Sequence, residues 1–346
     1  MLFAADHPRA VLLASQSGGF ALPVCDHYSG TPPRMRKSLQ LQAELMQEFG
    51  RCVADVTLDC EDGAPTGGER EHAHLVAELA LGAAPGQRVA VRVHAPQHPR
   101  FSDDVHIIVG RAAGRLSHVM LPKIDTRKTL EQALQAIDAA GGAALPVHAL
   151  IESPLAVHNA FEIAGHPRVQ SLSFGLMDFV SAHGGAVPAS AMEAQGQFSH
   201  PVVVRAKLAV AAACHAHGKI PSHCVVTEFS DTQALVQAAR QAGRELAYTR
   251  MWSIHPAQIR PILEAFAPEP AEVDLAVAII EKAHAAQWAP ISHQGVLHDR
   301  ASYRYYWQVI ERAHQSGHAL PASQRRWLDG HAVADASRDA SISPPN

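Results

Sequence analysis

Two carboxylates, Glu152 in LIESP and Asp178 in FGLMD, are the residues of this chain whose types and positions point most directly to chemistry. Each follows an apolar run that predicts a buried strand, residues 145–151 for the first and 169–174 for the second. In parallel α/β barrels, the carboxyl ends of the strands carry the catalytic groups. Two oxygen ligands from neighbouring strands, with space for water and substrate, are typical of Mg²⁺ sites. The sequence therefore predicts a metal site held by Glu152 and Asp178, with Mn²⁺ as an alternative ion.

Further polar side chains follow other predicted strands: Asp59, Glu61 and Asp62 in LDCEDGAP, Arg92 in VRVHAP, Lys123 in LPKID and His255 in SIHPAQI. We expect Arg92 to bind a substrate carboxylate, because its planar guanidinium group offers a bidentate fork. Glu61 and Asp62 complete the predicted catalytic set by orienting Arg92 and the waters of the metal. Together these groups indicate a site for a divalent metal and an anionic substrate.

Each of these polar residues also has a structural interpretation. The DCEDG segment is a turn sequence even without a catalytic role, because Asp and Gly favour turns. Arg92 can form an ion pair with Glu61 across neighbouring strands, and that pair is compatible with a role in binding substrate. Lys123 and His255 fit structural roles better than catalytic ones. What the structural interpretation explains least well is the presence of acids at the ends of three predicted strands.

Strand-like and helical patterns alternate eight times along the chain. The predicted strands cover residues 20–25, 54–58, 89–93, 118–121, 147–151, 171–174, 224–228 and 248–254. The predicted helices cover residues 33–49, 68–83, 102–114, 126–140, 155–164, 200–217, 230–242 and 256–266. This alternation predicts an α/β fold, the (β/α)₈ TIM barrel. An open doubly wound sheet is the alternative, but no GxGxxG motif opens a helix.

Length and composition narrow the class of protein. The chain has 346 residues, 47% of them hydrophobic and 18% charged, which is typical of a compact globular enzyme. A net charge of −4 without a basic stripe argues against nucleic acid as a partner. The five cysteines form no CxxC pair and are odd in number, so we expect free thiols and a cytoplasmic protein. We expect neither a signal peptide nor a membrane span, since no run approaches roughly 20 apolar residues.

We predict four segments along the chain: an N-terminal extension (1–19), the barrel (20–266), a C-terminal helical appendage (267–330) and a disordered tail (331–346). The appendage is expected to be too small to hold a core of its own. It contains an aromatic helix whose large side chains are expected to be exposed, namely Tyr303, Tyr305, Tyr306 and Trp307. We therefore expect this helix to dock onto the barrel or onto a neighbouring subunit.

As a set, these motifs resemble those of the HpcH/HpaI aldolase–citrate lyase family, on its citrate lyase β-subunit branch. LDCEDGAP is similar to the LDLEDAV motif of that family, and VRVH, LPKI, LIESPLAVHNAFEIA, FGLMDF and SIHPAQI follow in the family's order and spacing. HQGVLHDRASYRYYWQVIERA resembles its C-terminal GxMID segment and closing helix. The resemblance covers most of residues 20–315.

The resemblance implies a TIM barrel, Mg²⁺ bound by Glu152 and Asp178, and substrate contacts from Arg92 and Glu152. It implies a reversible aldol or Claisen-type cleavage of a 3-hydroxy acid into a 2-oxo acid and a second fragment, often as a thioester of CoA or of an acyl carrier protein. It also implies homotrimers or hexamers in which the C-terminal segment caps a neighbour's active site. Asp299 matches the acid that serves there as general acid or base.

The chain departs from the family pattern at Cys60 and Gly63, at Ser222-His223-Cys224, and in a long segment at 183–201. These changes concern the substrate more than the metal. Two other functions therefore remain open beside the lyase. One is a hydrolase for malyl- or citramalyl-type thioesters, and the other is a carrier-dependent subunit that is inactive alone.

Overall fold

The computed structural model describes residues 7–13, 22–318, 320, 324 and 327–328. The chain forms two compact units, one of residues 19–266 and one that joins residues 1–18 to residues 267–346. The predicted disordered tail, 331–346, lies outside the described residues. Elements are numbered in chain order, and the first helix, α1, is Pro8–Leu13.

The unit of residues 19–266 is a closed parallel barrel, as predicted. Its strands are β1 (Cys25–Ser29), β2 (Ala54–Asp59), β3 (Val89–Arg92), β4 (Leu116–Leu121), β5 (Val147–Ile151), β6 (Val169–Phe174), β7 (Ile220–His223) and β8 (Arg250–Ser253). Each strand pairs in parallel with the next, and β8 pairs with β1 to close the barrel.

Helices follow the strands around the barrel. They are α2 (Pro32–Phe49), α3 (Glu69–Leu81), α4 (Phe101–Asp104), α5 (Gly110–Ala112), α6 (Arg127–Ala139), α7 (Pro154–Ala164), α8 (Leu176–Ser181), α9 (Gly196–Ser199), α10 (Pro201–Ala216), α11 (Thr232–Arg244) and α12 (Ile259–Phe266). A π-helix spans Val105–Val109, and short 3₁₀ turns span Ala113–Arg115, Ala189–Met192 and Pro256–Gln258. The single helix predicted over 102–114 is therefore wrong, because a π-helical turn and a 3₁₀ turn interrupt it.

Local side-chain chemistry fixes where several of these helices begin and end. Ser153 caps α7 by accepting a hydrogen bond from the backbone N–H of Ala156 at 2.9 Å, and Pro154 occupies the first helical position. Asp231 caps α11 in the same way, as predicted from its place before the helix. After α10, Gly218 adopts a left-handed conformation with φ of 64°, which favours glycine and stops the helix.

Two strand predictions are wrong in position. The first and seventh strands were expected at 20–25 and 224–228, whereas they lie at Cys25–Ser29 and Ile220–His223. Their sequences, CDHYS and IPSH, are polar because their side chains contribute to a polar barrel interior. The hydrophobic pattern that identifies a buried strand is therefore displaced onto the neighbouring segments.

The barrel interior begins, at the amino-terminal end of the strands, with a buried charge cluster. Arg250 on β8 lies 2.9 Å from Asp26 on β1 and 2.6 Å from Asp55 on β2, and all three side chains are fully buried. Arg88 reaches the second oxygen of Asp55 at 2.6 Å, and Thr57 donates to Asp26 at 2.7 Å. The two carboxylates are thus matched by two guanidinium groups.

An apolar layer covers this charge cluster. Tyr28, Met120, Leu150 and Trp252 form a separate buried cluster, each two residues beyond a polar residue of the layer below. The rings of Tyr28 and Trp252 stack with centroids 4.6 Å apart. Side chains at alternate positions of parallel barrel strands point inward, which produces these layers.

The second unit has an apolar core, to which the N-terminal helix contributes beside the C-terminal segment. It contains α1, α13 (Pro270–Ala285), a hairpin of β9 (Ile291–His293) and β10 (Val296–His298), and α14 (Arg300–Gln315). Leu12 and Leu13 of α1 join buried residues of α13 and α14 in one apolar cluster. The expected exposure is wrong for Tyr303 and Trp307, which are fully buried, whereas Tyr305 is 57% exposed.

The described residues include no helix that is both long and apolar enough to cross a membrane. All five cysteines are free thiols.

We predict that replacing Arg250 by Leu lowers the free energy of unfolding by about 3–5 kcal/mol, because Asp26 and Asp55 would remain buried without this partner. The matched control is Arg260→Leu, which removes an exposed pair with Glu48 and should change stability by less than about 1 kcal/mol. Chemical denaturation measures both. Equal effects in the two variants would show that the buried carboxylates do not depend on Arg250.

Candidate active site

Four of the predicted site residues line one cavity at the carboxyl ends of the barrel strands. The cavity has a volume of about 970 Å³, and Glu61, Asp62, Glu152 and Asp178 are among its lining residues. Glu152 follows β5 directly, and Asp178 lies in the first turn of α8, just after β6. Since β5 and β6 are hydrogen-bonded neighbours, the two carboxylates come from adjacent strand ends.

Glu152 is held in place by the backbone of the strand ends on either side. The N–H of Lys123, after β4, donates to Oε1 of Glu152 at 2.6 Å. Lys123 has a φ of 54°, a conformation that costs energy for a residue with a Cβ and that persists only where the surroundings impose it. On the other side, a Cβ added to Gly175 would lie 2.5 Å from Cβ of Glu152. Glycine is therefore required there for Glu152 to occupy this position.

The site carries more negative charge than its own cations neutralise. Burial, together with the negative charges of Glu61 and Asp178, raises the pKa of Glu152 to about 8. Among the described residues, the backbone N–H of Lys123 and the positive charge of Arg92 oppose this shift. A divalent cation between Glu152 and Asp178 would relieve this charge, and carboxylate oxygens are the donors that Mg²⁺ and Mn²⁺ prefer. The donor set thus fits the predicted metal.

Arg92 forms the ion pair with Glu61 that the sequence suggested as its structural role. Its Nε and Nη2 atoms donate to the two oxygens of Asp59 at 2.7 and 2.5 Å, and its Nη1 lies 3.0 Å from Glu61. The Arg92 side chain is 9% exposed, and Arg92 is not among the residues that line the cavity. Arg92 therefore orients Glu61, and its contact with substrate stays a prediction.

Glu61 connects this pair to Lys123. The Nζ atom of Lys123 lies 3.0 Å from Glu61 and 4.0 Å from Asp62. Burial raises the pKa of Glu61 even though Arg92 and Lys123 oppose that shift. Lys123 was expected to be structural, and it combines this ion pair with its backbone contact to Glu152. Asp62 is 60% exposed at the edge of the group.

His255 and Asp299 both cap helices. The side chain of His255 accepts from the N–H of Ala257 at 3.2 Å, which confirms its structural interpretation. Asp299, in the other unit, accepts from the N–H groups of Ala301 and Ser302 at 2.9 and 3.3 Å at the start of α14. Asp299 is exposed, so the cap leaves it open to other contacts.

A second group with metal-ligand chemistry lies in the polar layer at the amino-terminal end of the barrel. Asp26, His118 and His148 offer ligand atoms within 4.8 Å of one another. The two imidazole rings are stacked at 3.6 Å, so their in-plane lone pairs run parallel and do not converge. Asp26 is already paired with Arg250 at 2.9 Å. These features fit Mg²⁺ less well than the oxygen donors of Glu152 and Asp178.

His94 and Gly175 were not assigned a role from the sequence, although both stand in quoted motifs. His94, in VRVHAP, lines the cavity and lies 2.7 Å from Asp104. Nothing in the sequence indicated this pair, because Asp104 is ten residues away within a segment predicted as a regular helix. Gly175, in FGLMD, adjoins Glu152 and was also missed, although a glycine between a strand and the acid that follows it is the available signal.

Comparisons with a family model and with individual proteins indicate the same family. Residues 39–256 match the model of the HpcH/HpaI aldolase/citrate lyase family. An L-malyl-CoA/β-methylmalyl-CoA lyase of Rhodobacter capsulatus is 27% identical over 289 residues, which are 78% of this chain and 90% of the relative.

Among solved structures, a citrate lyase from Burkholderia xenovorans LB400 is 46% identical, with a TM-score of 0.76 over 88% of this chain and 96% of that one. The CitE protein of Mycobacterium tuberculosis, in complex with magnesium, acetoacetate and coenzyme A, is 20% identical. Its TM-score is 0.63 over 84% of this chain and 98% of that one, which shows a shared fold.

We predict that the stability of the metal-free protein falls between pH 5 and 8 through Glu152. Its pKa is about 8 in the folded protein and 4.5 ordinarily, so in this window the folded state holds a proton that the unfolded state has released. Stability must then decrease as the pH rises, with a slope approaching about 1.4 kcal/mol per pH unit from this group.

Denaturation in a chelating buffer across this pH range measures the effect. Glu152→Gln should flatten the dependence. The control Glu48→Gln should keep the parent's slope, because Arg260 lowers the pKa of that exposed carboxylate. A parent and a Glu152→Gln protein with the same slope would show that Glu152 does not hold the proton.

Proposed function

This chain belongs to the HpcH/HpaI aldolase/citrate lyase family and is a lyase, and we propose that it is a Mg²⁺-dependent enzyme that breaks or forms a carbon–carbon bond of a 3-hydroxy acid or its acyl thioester. The observation that carries the proposal is the group of Glu61, Glu152 and Asp178 in one cavity, with a raised pKa at Glu152. Such a group binds a divalent cation and, through that cation, an anionic substrate.

Glu152 and Asp178 would hold the ion, with Mn²⁺ as the alternative. When bound, the metal supplies Lewis-acid polarisation of a substrate oxygen. Magnesium in the structure of the tuberculosis protein supports this assignment, although that likeness by itself is one of fold. The Lys123 backbone N–H fixes the oxygen of Glu152 that faces it, and the close approach of Gly175 fixes the other side.

The substrate is proposed to be an acid that releases a 2-oxo acid on cleavage, as a thioester of CoA or of an acyl carrier protein. The named activity of the Rhodobacter relative, on malyl-CoA, supports a thioester of this kind. We propose that Arg92 neutralises the substrate carboxylate, which requires its Nη1 group to turn from Glu61 toward the cavity. A base takes the hydroxyl proton while the bonding electrons pass into an enolate.

We predict that the purified protein, with Mg²⁺, cleaves a malyl-type CoA thioester to a 2-oxo acid and a shorter acyl-CoA. Malyl-CoA and citramalyl-CoA are the substrates to test, with product analysis by mass spectrometry. Chelation should abolish cleavage. Gly175→Ala should reduce it by about 100-fold, because a displacement of about 1 Å at a catalytic group has that effect.

The matched control is Gly114→Ala, since an added Cβ there meets open space. Release of the intact hydroxy acid and free CoA would instead identify a thioester hydrolase on the same site. Activity only after addition of an acyl carrier protein would identify a carrier-dependent subunit. Turnover that is independent of divalent metal would contradict the metal assignment.

We also propose a cytoplasmic homotrimer or hexamer in which Asp299 of one subunit acts as general acid or base at the site of another. Three observations support this arrangement. Asp299 is exposed, it follows the hairpin strand β10, and that strand exposes Val296 by 56% and Leu297 by 74%. Large exposed apolar side chains beside a polar group favour a contact between subunits.

If sites are shared between subunits, we predict recovery of activity on mixing two inactive variants. Asp299→Asn keeps an intact barrel, and Glu152→Gln keeps an intact Asp299. Random reassembly in equal amounts would restore about one quarter of the sites, each with one barrel and one Asp299 from different subunits. Subunit exchange is verified by native mass spectrometry. No recovery despite verified exchange, or an active monomer, would contradict the shared site.

A further inference from the structure

His94 and Asp104 form a buried acid–histidine pair at the wall of the cavity. His94 lies two residues beyond β3, and its Nδ1 is 2.7 Å from Oδ2 of Asp104. The same oxygen accepts the backbone N–H of His94 at 2.9 Å. Two contacts to one oxygen fix both the backbone and the ring of His94. Because Nδ1 is engaged by Asp104, Nε2 is the ring nitrogen left for a ligand.

Asp104 is buried, which is unusual for an aspartate. Its side chain is 1% exposed, and its Oδ1 is buried without a hydrogen-bond partner among the described residues. Asp104 ends α4 at the point where the π-helix Val105–Val109 begins. Single π-helical turns are frequent at functional sites, because they turn a side chain away from the regular helical position. Here the interruption coincides with the residue that holds His94.

His94 shares its cavity with the carboxylates of the proposed metal site. The cavity lining includes His94, Glu61, Glu152 and Asp178. The His94 side chain is 11% exposed, compared with 1% for Asp104, so the pair has a buried end and an end that reaches the cavity. The ring of His98 stacks on the ring of His94, with the centroids 4.3 Å apart and an angle of 10° between the ring planes. This stacking limits the rotation of the His94 ring.

The charged groups around His94 favour its protonated form. The hydrogen bond with Asp104 raises the pKa of His94 against the opposing effect of burial. The negative charges of Asp104, Glu61 and Glu69 act in the same direction. The neighbouring ring of His98 is a further titratable group packed against it.

We propose that His94, positioned by Asp104, is a proton-transfer residue of the lyase reaction, acting on the α-carbon of the acyl thioester. This inference rests on the proposed function and deepens it. Asp104 is a positioning residue, and His94 is the catalytic one. A purely structural pair, tying the β3 loop to α4, would not need the ring of His94 to open toward the cavity.

The proton balance of the step is complete without any other reactant. When the carbon–carbon bond breaks, its electron pair passes into the acyl fragment as an enolate. Protonated His94 donates its Nε2 proton to the α-carbon of that enolate and becomes a neutral imidazole. The proton of the substrate hydroxyl leaves through the separate base to solvent, and His94 regains a proton from solvent. In the direction of synthesis, neutral His94 removes the α-proton.

The test separates proton transfer from bond cleavage. Acetyl-CoA is incubated with the parent protein and Mg²⁺ in D₂O, and exchange of its methyl protons is followed by NMR beside the cleavage assay with malyl-CoA. We expect His94→Gln and His94→Asn to lose about 100-fold or more in both reactions. Mg²⁺ affinity, measured by calorimetry, should stay at the parent's value. The control His106→Gln changes an exposed histidine of the adjacent π-helix and should leave both reactions unchanged.

Asp104→Asn tests the positioning role through the pH profile. Removal of this carboxylate lowers the pKa of His94, so the alkaline limb of the cleavage profile should move to lower pH. His94 variants that retain exchange and cleavage would overturn the proposal while leaving the lyase intact. Variants that lose activity only together with Mg²⁺ binding or folding would also overturn it, in favour of a structural pair. A parent protein that neither cleaves nor exchanges would overturn the lyase function and this proposal with it.

Discussion

The buried position of Glu152 is the constraint from which the rest of the site follows. A carboxylate with this little exposure is stable only when neighbouring groups compensate for its lost hydration. The protein supplies one hydrogen bond, from the N–H of Lys123, and places Glu61 and Asp178 nearby, which makes ionisation harder. The positive charge that would complete the arrangement is therefore expected from outside the chain. Binding of a divalent ion would therefore relieve an electrostatic cost that is already present in the folded protein.

The two charged layers of the barrel differ in how the negative charges of their carboxylates are neutralised. At the amino-terminal end, Arg250 bridges Asp26 and Asp55, and Arg88 supplements the pair. At the carboxyl end, Arg92 is committed to Asp59 by two hydrogen bonds before it reaches Glu61. The apolar layer around Tyr28 and Trp252 separates the two. One layer thus stabilises the fold, whereas in the other no cationic side chain of the described residues forms a salt bridge with Glu152 or Asp178.

The barrel and the metal pair could be predicted from the sequence, and the reasons are physical. Strands such as Val147–Ile151 are buried on both faces, so their apolar runs are continuous and visible. Acids that follow such runs must leave the core, which places Glu152 and Asp178 at the same end of the barrel. By contrast, β1 and β7 carry polar side chains into the interior, and the hydrophobic pattern loses them there. The burial of Tyr303 and Trp307 was also invisible, because it depends on Leu12 and Leu13 almost 300 residues earlier in the chain.

The pairs that could not be predicted are those set by backbone geometry and not by residue type. Arg92 meeting Asp59 before Glu61 depends on the register in which Asp59 lies directly opposite Arg92. His94 meeting Asp104 depends on the π-helical turn that starts at Val105.

The same logic explains why the motifs LPKID, LIESP and FGLMD act as one unit, although they are far apart in sequence. They end three consecutive strands, β4, β5 and β6, that are hydrogen-bonded in that order. Lys123 contributes a strained backbone N–H, Glu152 the carboxylate that accepts it, and Gly175 the missing side chain that lets the carboxylate fit. A shift of one residue in any of the three strands would turn its contribution to the opposite face. The register of the sheet, more than any single residue, therefore determines where the metal site can form.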